Sequence, residues 1–453
     1  MPAPLSDRPA GQTALTVTFR DGEFDPKRIE IEAGRAVRFV NESEGPVWPA
    51  SNIHPTHQIY TEFDSKAPVP PGGTWELAFE RAGFWRYHNH LDPSHSGLVV
   101  VTGDEGQAAV VPLVLGSDVP TFETLGAVSP GDAIDLFRDD TLLGRYLEVY
   151  GPAVVVSLLS EYQSRISTDC HQRAHEAGRI AYDLFGALAF SLAGHECHAG
   201  AYHGATEALF RDRGTANLHA DVGVLCGSSP NSFFRHQCVH GVGHGLMAWT
   251  SYELLDTLEL CDRLEDRTNQ RSCYSGAFME NIVGGLAGTM GHYTEFVSDD
   301  PHFPCNILGE TYLPSCYFYQ STRMVQLFGG DFAKVAAACA EAPRGSHYVC
   351  FQSMGRDVGG ATRGNPARAI ELCSNAQEST NRLDCLSGAV QDSFWDAGGA
   401  DDALEFCALL EQDKAKTRCY ATIIPRAHQI YQDPADTGTF CGRIPEAYRA
   451  GCL

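Results

Sequence analysis

Three short motifs in the middle of the chain place potential metal ligands four residues apart. The pairs are His171 with His175, His203 with Glu207, and His240 with His244. Residues four apart lie on one face of an α-helix, so each pair can direct two ligand atoms to one point. Imidazole nitrogens are typical ligands of copper, iron and zinc. The motifs therefore predict a metal site carried by helices.

A cysteine-based frame relates two of these motifs. His203 and His244 each stand six residues after a cysteine, with a glycine at the midpoint. Equivalent positions in stacked helical hairpins project onto the same face of the stack. We therefore expect one centre formed by His171, His175, His203, His240 and His244. Glu207, and Glu280 in the next frame, are predicted as further ligands or proton carriers.

The alternative is that these histidines are core or capping residues whose hydrogen bonds are satisfied inside the fold. That explanation suffices for a single histidine. The concentration of histidines between residues 171 and 244 favours a site instead. Pairs of this kind are similar to the helix-borne ligands of dinuclear copper and iron proteins.

A second group of five histidines lies between residues 54 and 95. It belongs to residues 13–102, where short alternating or β-branched runs predict strands. The run THQIYTEFDSKAPVPPGGTWELAFERAGFWRYHNHLDPSHSGLVVV resembles the copper-binding half of cupredoxins. That family carries a histidine after one strand, a Pro-Gly turn, and a final strand and loop with further ligands. The resemblance implies an all-β, Greek-key sandwich.

Aligned without gaps, the sequence departs from the copper site of that family. Asn89 stands at the cysteine position, Asp92 at the loop histidine and His95 at the methionine, while His57 takes the first histidine position. Blue copper sites need the cysteine thiolate. The remaining set of His57, Asp92 and His95 would suit Cu(II), Zn or Fe(II).

A second resemblance is to multicopper oxidases, whose HPxH and HCHxxxxH segments look like residues 54–57 and 88–95. In that family the two histidines beside the cysteine bind a copper cluster at a domain boundary. Side chains alternate across a strand, so His88 and His90 are expected on one face and Asn89 on the other. A degenerate cupredoxin that binds no metal is the alternative.

All sixteen cysteines lie between Cys170 and Cys452. Seven pairs recur at steps of 33 to 35 residues with one longer step, and ten or eleven residues separate the partners. This period predicts stacked helical hairpins, each closed by a disulfide that contributes ~2–3 kcal/mol. The period resembles that of Sel1-like and tetratricopeptide solenoids. Cys170 and Cys197 are also expected to pair; zinc ligation, the alternative for the repeated pairs, uses tighter spacing.

The predicted fold is therefore multidomain, with a β sandwich followed by an all-α, disulfide-stapled solenoid. From residue 140 onward apolar residues recur at helical spacing. The repeat after Cys261 is about ten residues longer than the others and contains His292, Tyr293, Glu295 and His302; it predicts a loop over a pocket or a plain surface loop. The predicted segments are a disordered N-terminus at 1–12, a cupredoxin-like domain at 13–102, a linker at 103–139, and a helical domain at 140–453 with its histidine cluster at 140–250 and its paired hairpins at 226–452.

Charge and missing motifs exclude several functions. The formal net charge of −24 disfavours binding to nucleic acids and to anionic membranes. The sequence has no apolar run near the ~20 residues of a membrane span. It also lacks the P-loop, GxGxxG, GxSxG and HExxH motifs. The paired cysteines indicate an oxidising, extracytoplasmic compartment, although this chain shows no signal peptide.

Together these patterns favour a metal-dependent oxidoreductase, with copper expected before iron or zinc. Its substrate would be a small organic molecule or a metal ion, oxidised with O2 or a related oxidant. The alternative is a non-catalytic scaffold that binds metal or a partner protein. The sequence leaves open the metal, the substrate, the oligomeric state and any contact between the two domains.

Overall fold

The computed structural model describes most of the chain. The described residues are 14–52, 57, 60–102, 113, 119–166, 170–194, 196–227, 229, 231–284, 294–395, 397–431 and 433–452. The segment predicted as a disordered N-terminus, residues 1–12, lies outside them. A strand-rich domain is followed by a helical domain, as predicted.

The N-terminal domain contains eight strands. Their bounds are β1 Leu15–Arg20, β2 Glu23–Asp25, β3 Arg28–Glu32, β4 Ala36–Asn41, β5 Pro49–Ser51, β6 Thr74–Ala78, β7 Gly83–Asn89 and β8 Asp92–Thr102. They form two four-stranded sheets with the orders β2-β1-β4-β6 and β3-β8-β7-β5. β1 pairs with β4, and β3 with β8, in parallel; the other pairs are antiparallel.

Alternating apolar side chains fill the space between the two sheets. Val17, Phe39, Tyr87 and Val99 are at most 2% exposed and come from both sheets. The rings of Phe39 and Tyr87 meet edge to face at 5.2 Å between centroids, a favoured aromatic geometry. This core confirms the predicted sandwich.

The helical domain starts inside the segment predicted as a linker, because Ser129 caps a first helix with its hydroxyl. The α-helices are α1 Pro130–Asp135, α2 Asp140–Tyr150, α3 Pro152–Ile166, α4 Cys170–Phe185, α5 Ala189–Leu192, α6 Gly200–Arg213, α7 Leu218–Gly227, α8 Ser232–Trp249, α9 Leu254–Asp262, α10 Arg267–Met279, α11 Leu313–Leu327, α12 Phe332–Glu341, α13 His347–Ala361, α14 Pro366–Cys373, α15 Ser379–Ser393, α16 Ala400–Leu409, α17 Asp413–Ile430 and α18 Pro434–Gly442. Among the described helices, none has the length and apolarity to cross a bilayer.

Disulfides close the helical hairpins as the cysteine period predicts. The bonds join Cys170–Cys197, Cys226–Cys238, Cys261–Cys273, Cys305–Cys316, Cys339–Cys350, Cys373–Cys385, Cys407–Cys419 and Cys441–Cys452. In α7 and α8, for example, the first cysteine lies near the end of one helix and the second in the early turns of the next. The six bonds from Cys226–Cys238 to Cys407–Cys419 therefore each fix the connection between two successive helical segments.

The longer helices of successive hairpins pack against each other through glycine. A Cβ atom on Gly204 of α6 would lie 1.8 Å from the carbonyl oxygen of His175 on α4. A Cβ on Gly276 of α10 would lie 1.9 Å from that of His240 on α8. No other residue fits at such distances, so these glycines set the separation of the helices that carry the histidines.

The two domains contact each other mainly where one sheet of the sandwich meets the loop between α8 and α9 and the start of α9. Buried Arg86 of β7 donates to the carbonyl of Ser251 at 3.1 Å and forms an ion pair with Glu253. Arg28 of β3 binds both carboxylate oxygens of Asp256, at 2.6 and 3.1 Å. Basic side chains of the sandwich thus meet acidic side chains of the helical domain.

The glycine contacts predict a sharp cost of adding one methyl group. Gly204→Ala should lower the free energy of unfolding by about 1–3 kcal/mol, because α4 and α6 must separate to admit the Cβ. Gly223→Ala is the control, since nothing lies within 4 Å of its Cβ and alanine favours a helix. Thermal unfolding of the oxidised protein measures both. Equal stability of Gly204→Ala and the wild type would contradict the packing described.

Candidate metal centres

Three histidines of the sandwich lie together at the end of β7. His88 is the buried second-to-last residue of that strand, His90 follows the strand, and His57 comes from the segment after β5. One ligand atom from each lies within 4.8 Å of those of the other two. His57 Nδ1 is 2.9 Å from a carboxylate oxygen of Asp64, and His57 Nε2 is 3.0 Å from His90 Nδ1.

The group matches the face predicted from strand alternation. Asn89 points the other way, and its side-chain oxygen accepts hydrogen bonds from the backbone N–H of Trp48 at 2.9 Å and of Leu91 at 3.2 Å. The residue at the cysteine position of cupredoxins therefore holds backbone together here. Three imidazoles without a thiolate form an all-nitrogen ligand set for copper or zinc.

Asp92 and His95 are not brought to His57. The exposed Asp92 accepts a hydrogen bond from Ser94, and His95 lies against the ring of Phe19 with 5.6 Å between centroids. Ser96 pairs with His88 across the ladder and shares its face, so the neighbouring His95 points to the opposite face. The ligand set expected from the ungapped cupredoxin alignment is thus not assembled. His57, His88 and His90, which the resemblance to multicopper oxidases includes, do lie together. His54 lies outside the described residues.

In the helical domain, five histidines and two glutamates meet between neighbouring long helices. The imidazoles are at most 8% exposed. α4 supplies two of the residues, α6 two, α8 two, and the turn after α10 the last: His171, His175, His203, Glu207, His240, His244 and Glu280.

The second histidine of each HxxxH pair is held by a carboxylate from the next long helix or its end. His175 Nδ1 lies 3.0 Å from a carboxylate oxygen of Glu207. His244 Nδ1 lies 2.7 Å from one of Glu280. These glutamates orient the histidines, the usual arrangement for metal-binding imidazoles, and both Nδ1 atoms carry the proton.

The first histidine of each pair is also held through Nδ1. His171 Nδ1 lies 2.8 Å from the carbonyl oxygen of Cys197, which can only accept. His240 Nδ1 lies 2.8 Å from Ser275 Oγ, whose own hydroxyl donates to the carbonyl of Ser272 at 2.7 Å. Both imidazoles therefore donate from Nδ1, which leaves a lone pair on Nε2.

These assignments bring unprotonated nitrogens face to face. His171 Nε2 and His175 Nε2 are 3.3 Å apart, and His240 Nε2 and His244 Nε2 are 3.1 Å apart. Since the proton of each ring is on Nδ1, neither Nε2 atom of an HxxxH pair can donate a hydrogen bond to the other. A cation between them removes this repulsion, so the site has the chemistry of a metal centre.

His203 lies between the two pairs. Its Nδ1 is 3.1 Å from His175 Nε2, and its ring stacks on that of His244 at 3.9 Å between centroids. Its Nε2 is buried and has no hydrogen-bond partner among the described residues. The ligand atoms of His203, His171 and His175 lie within 4.8 Å of one another. The same holds for those of His203, His240 and His244. The centre thus offers two three-histidine sets that share His203.

Burial keeps these groups in the charge states that favour metal binding. Desolvation, with the neighbouring imidazoles, places the pKa of His203 and His240 well below the usual range. Burial also lowers the pKa of His244, against the effect of Glu280. Burial opposes ionisation of Glu207, but the hydrogen bond from His175 and the charge of Arg179 outweigh it and lower its pKa to about 2. Arg179 donates to Glu207 at 2.6 Å.

Several partners of the centre escape sequence reasoning. Ser275 and the carbonyl of Cys197 lie on other hairpins, and no sequence spacing points to them. Arg179 could have been found four residues after His175 on the same helix. His236 lies one turn before His240, with 5.9 Å between their rings, and is a third histidine on that face of α8.

The long repeat reaches the sandwich. Residues 285–293, which include His292 and Tyr293, lie outside the described residues. Glu295 forms an ion pair with Lys27. His302 is hydrogen-bonded to the hydroxyl of Tyr317 at 3.1 Å.

No family model and no curated protein match this chain. Solved cupredoxins match about a fifth of it. A purple cupredoxin from Nitrosopumilus maritimus is 25% identical over 19% of this chain and 99% of its own, with a TM-score of 0.18. A reduced amicyanin mutant is 21% identical over 20% and 82%, also with a TM-score of 0.18. The period shared with Sel1-like and tetratricopeptide repeats finds no support in these comparisons.

The lowered histidine pKa values predict acid sensitivity of the metal-free protein. Below the ordinary histidine pKa of 6.5, the unfolded chain takes up protons that the folded chain excludes. Stability should therefore be constant above that pH and fall by up to about 1.4 kcal/mol per pH unit for each excluded proton below it. Chemical denaturation between about pH 5 and pH 8 measures the slope. His203→Gln should make it shallower; an unchanged slope would contradict the assignment.

Proposed function

We propose that the protein is a metal-dependent oxidoreductase, with copper favoured over iron, and that the helical histidine centre is its reactive site. The observation that carries the proposal is that four imidazoles converge with unprotonated Nε2 atoms. The Nδ1 atom of each ring donates a hydrogen bond to a carboxylate, a carbonyl or a serine hydroxyl. Histidines that only fill a hydrophobic core do not need hydrogen bonds that fix the Nδ1 atoms of four rings. Bound copper would supply one-electron and O2 chemistry.

The donor set supports copper. All-imidazole ligation suits copper, zinc and iron, and the described centre contains no thiolate because its cysteines are in disulfides. Zinc has no redox chemistry. In this proposal His203 is the ligand common to both three-histidine sets, and Glu207 and Glu280 orient ligands rather than bind metal themselves.

The histidine group of the sandwich is proposed as a second metal site. His57, His88 and His90 present an all-nitrogen set, and Asp64 orients His57 through Nδ1. The proposed role follows the resemblance to multicopper oxidases, in which such histidines bind copper at a domain boundary. Arg86, two residues before His88 on the same face of β7, contacts the helical domain and supports this placement.

The proposed substrate is a small organic molecule or a metal ion, with O2 as the oxidant. The proposed location is extracytoplasmic, because eight disulfides form and persist in an oxidising compartment. A second candidate function is metal storage without catalysis. The near-complete burial of His175, His203 and His244 favours it, since a closed centre leaves little access for a substrate.

Metal content tests which centre is loaded. Protein prepared without a His tag should bind copper, and His203→Ala with His244→Ala should lose at least one equivalent, because each three-histidine set then lacks a ligand. The control is His219→Ala with His428→Ala, both exposed histidines. Elemental mass spectrometry gives the stoichiometry. The contrary result is that the first variant keeps its copper and the His57→Ala, His88→Ala variant loses it. Copper would then be bound in the sandwich alone.

Oxygen consumption separates catalysis from storage. Copper-loaded protein with a small organic reductant should consume O2 faster than the His203→Ala, His244→Ala variant at equal total copper. A loaded protein that consumes no more O2 than this variant would contradict the oxidoreductase proposal and leave the storage function.

A further inference from the structure

A cleft of about 370 Å³ opens between three long helices of the C-terminal hairpins. α13, α15 and α17 form its walls. Its polar lining includes amide side chains and two arginines: Gln352, Gln391, Gln429, Arg418 and Arg426. A basic, amide-rich cleft is unusual in a chain whose net charge is −24.

Arg426 has no counter-ion in the part of the chain that the structure describes. The other arginine of the cleft, Arg418, forms an ion pair with Asp384 at 3.3 Å. Among the described residues, Arg426 has neither an ion pair nor a hydrogen bond. Burial lowers its pKa to about 10, as expected for a guanidinium that has lost water without gaining a carboxylate.

Two aromatic rings hold the guanidinium in place. It lies over the ring of Phe233 at 4.6 Å and near that of Trp395 at 5.5 Å. Cation–π contacts of this kind orient the planar group and leave its N–H donors directed along its edges. An arginine held in this way is ready to bind an anion bidentately.

One helix, α8, connects the cleft with the histidine centre. Phe233 stands near the start of α8, the helix that carries His236, His240 and His244. The side-chain amide of Asn231, which caps that helix, donates to the carbonyl of Gln429 at 3.3 Å. The first turns of α8 therefore contact α17 next to Arg426, and the same helix leads to the centre.

We propose that this cleft binds a small organic carboxylate through Arg426 and that such carboxylates are the substrate class of the centre. The second part rests on the proposed oxidoreductase function; the binding site does not. Guanidinium and carboxylate match in planar, bidentate geometry. Glutamine amides suit the polar remainder of such a ligand, and the aromatic rings suit a flat apolar part. The large negative charge of the chain disfavours polyanions.

Benzoate is the probe, with inorganic phosphate as the competing anion. Calorimetric titration of the full-length protein should show binding of benzoate, and Arg426→Gln should weaken it on the order of tenfold or more. Arg426→Lys should restore part of the affinity, since lysine keeps the positive charge but cannot bind a carboxylate through two parallel N–H donors. Arg443→Gln, which removes an exposed arginine paired with Asp401, is the matched control and should bind as the wild type does.

Titrations with metal-free and copper-loaded protein keep the two proposals apart. Benzoate binding without bound copper supports the cleft and leaves the oxidoreductase proposal to the metal measurements. Copper binding without benzoate binding overturns the cleft alone. Equal benzoate affinity of the wild type and a folded Arg426→Gln variant overturns it, as does tighter binding of phosphate than of benzoate. The melting temperature and copper content of the variant establish that it is folded.

Discussion

The centre depends on the close approach of helix backbones at glycine. The first histidine pair sits on α4 and its orienting carboxylate on α6, and Gly204 lets these helices meet at a distance that excludes a Cβ. Gly276 does the same for α8 and α10, next to His240. An added side chain would separate the helices, and the hydrogen bonds at each Nδ1 would lengthen. The position of the ligands is therefore set by backbone packing, which is stiffer than side-chain packing alone.

Disulfides supply a different constraint. Six of the bonds fix the connection between two helical segments of a hairpin. Each of them reduces the conformational entropy of the unfolded chain, which stabilises the fold by about 2–3 kcal/mol. Glycine contacts then fix one hairpin against the next. Neither constraint by itself would bring five imidazoles together, because the histidines come from three helices in successive units. Their convergence is stabilised locally by disulfides and across units by packing.

Much of this arrangement could be predicted from residue spacing. The four-residue spacing put two histidines on one face of α4 and of α8, and the cysteine frame related His203 to His244. Strand alternation likewise put His88 and His90 on one face of β7. What could not be predicted depends on contacts between distant segments. Ser275 and the carbonyl of Cys197 anchor ligands without any local signal. The register that pairs Ser96 with His88 decides that His95 points to the opposite face.

Crystallographic location of copper by anomalous scattering tests the central claim most directly. Crystals grown from copper-loaded protein should show a peak about 2.0–2.1 Å from the Nε2 atoms of the HxxxH pairs, the usual metal–imidazole distance. The Nδ1 atoms should keep their bonds to Glu207, Glu280, Ser275 and the carbonyl of Cys197. Copper found only in the sandwich, or Nε2 pairs with no metal between them at full loading, would contradict the account.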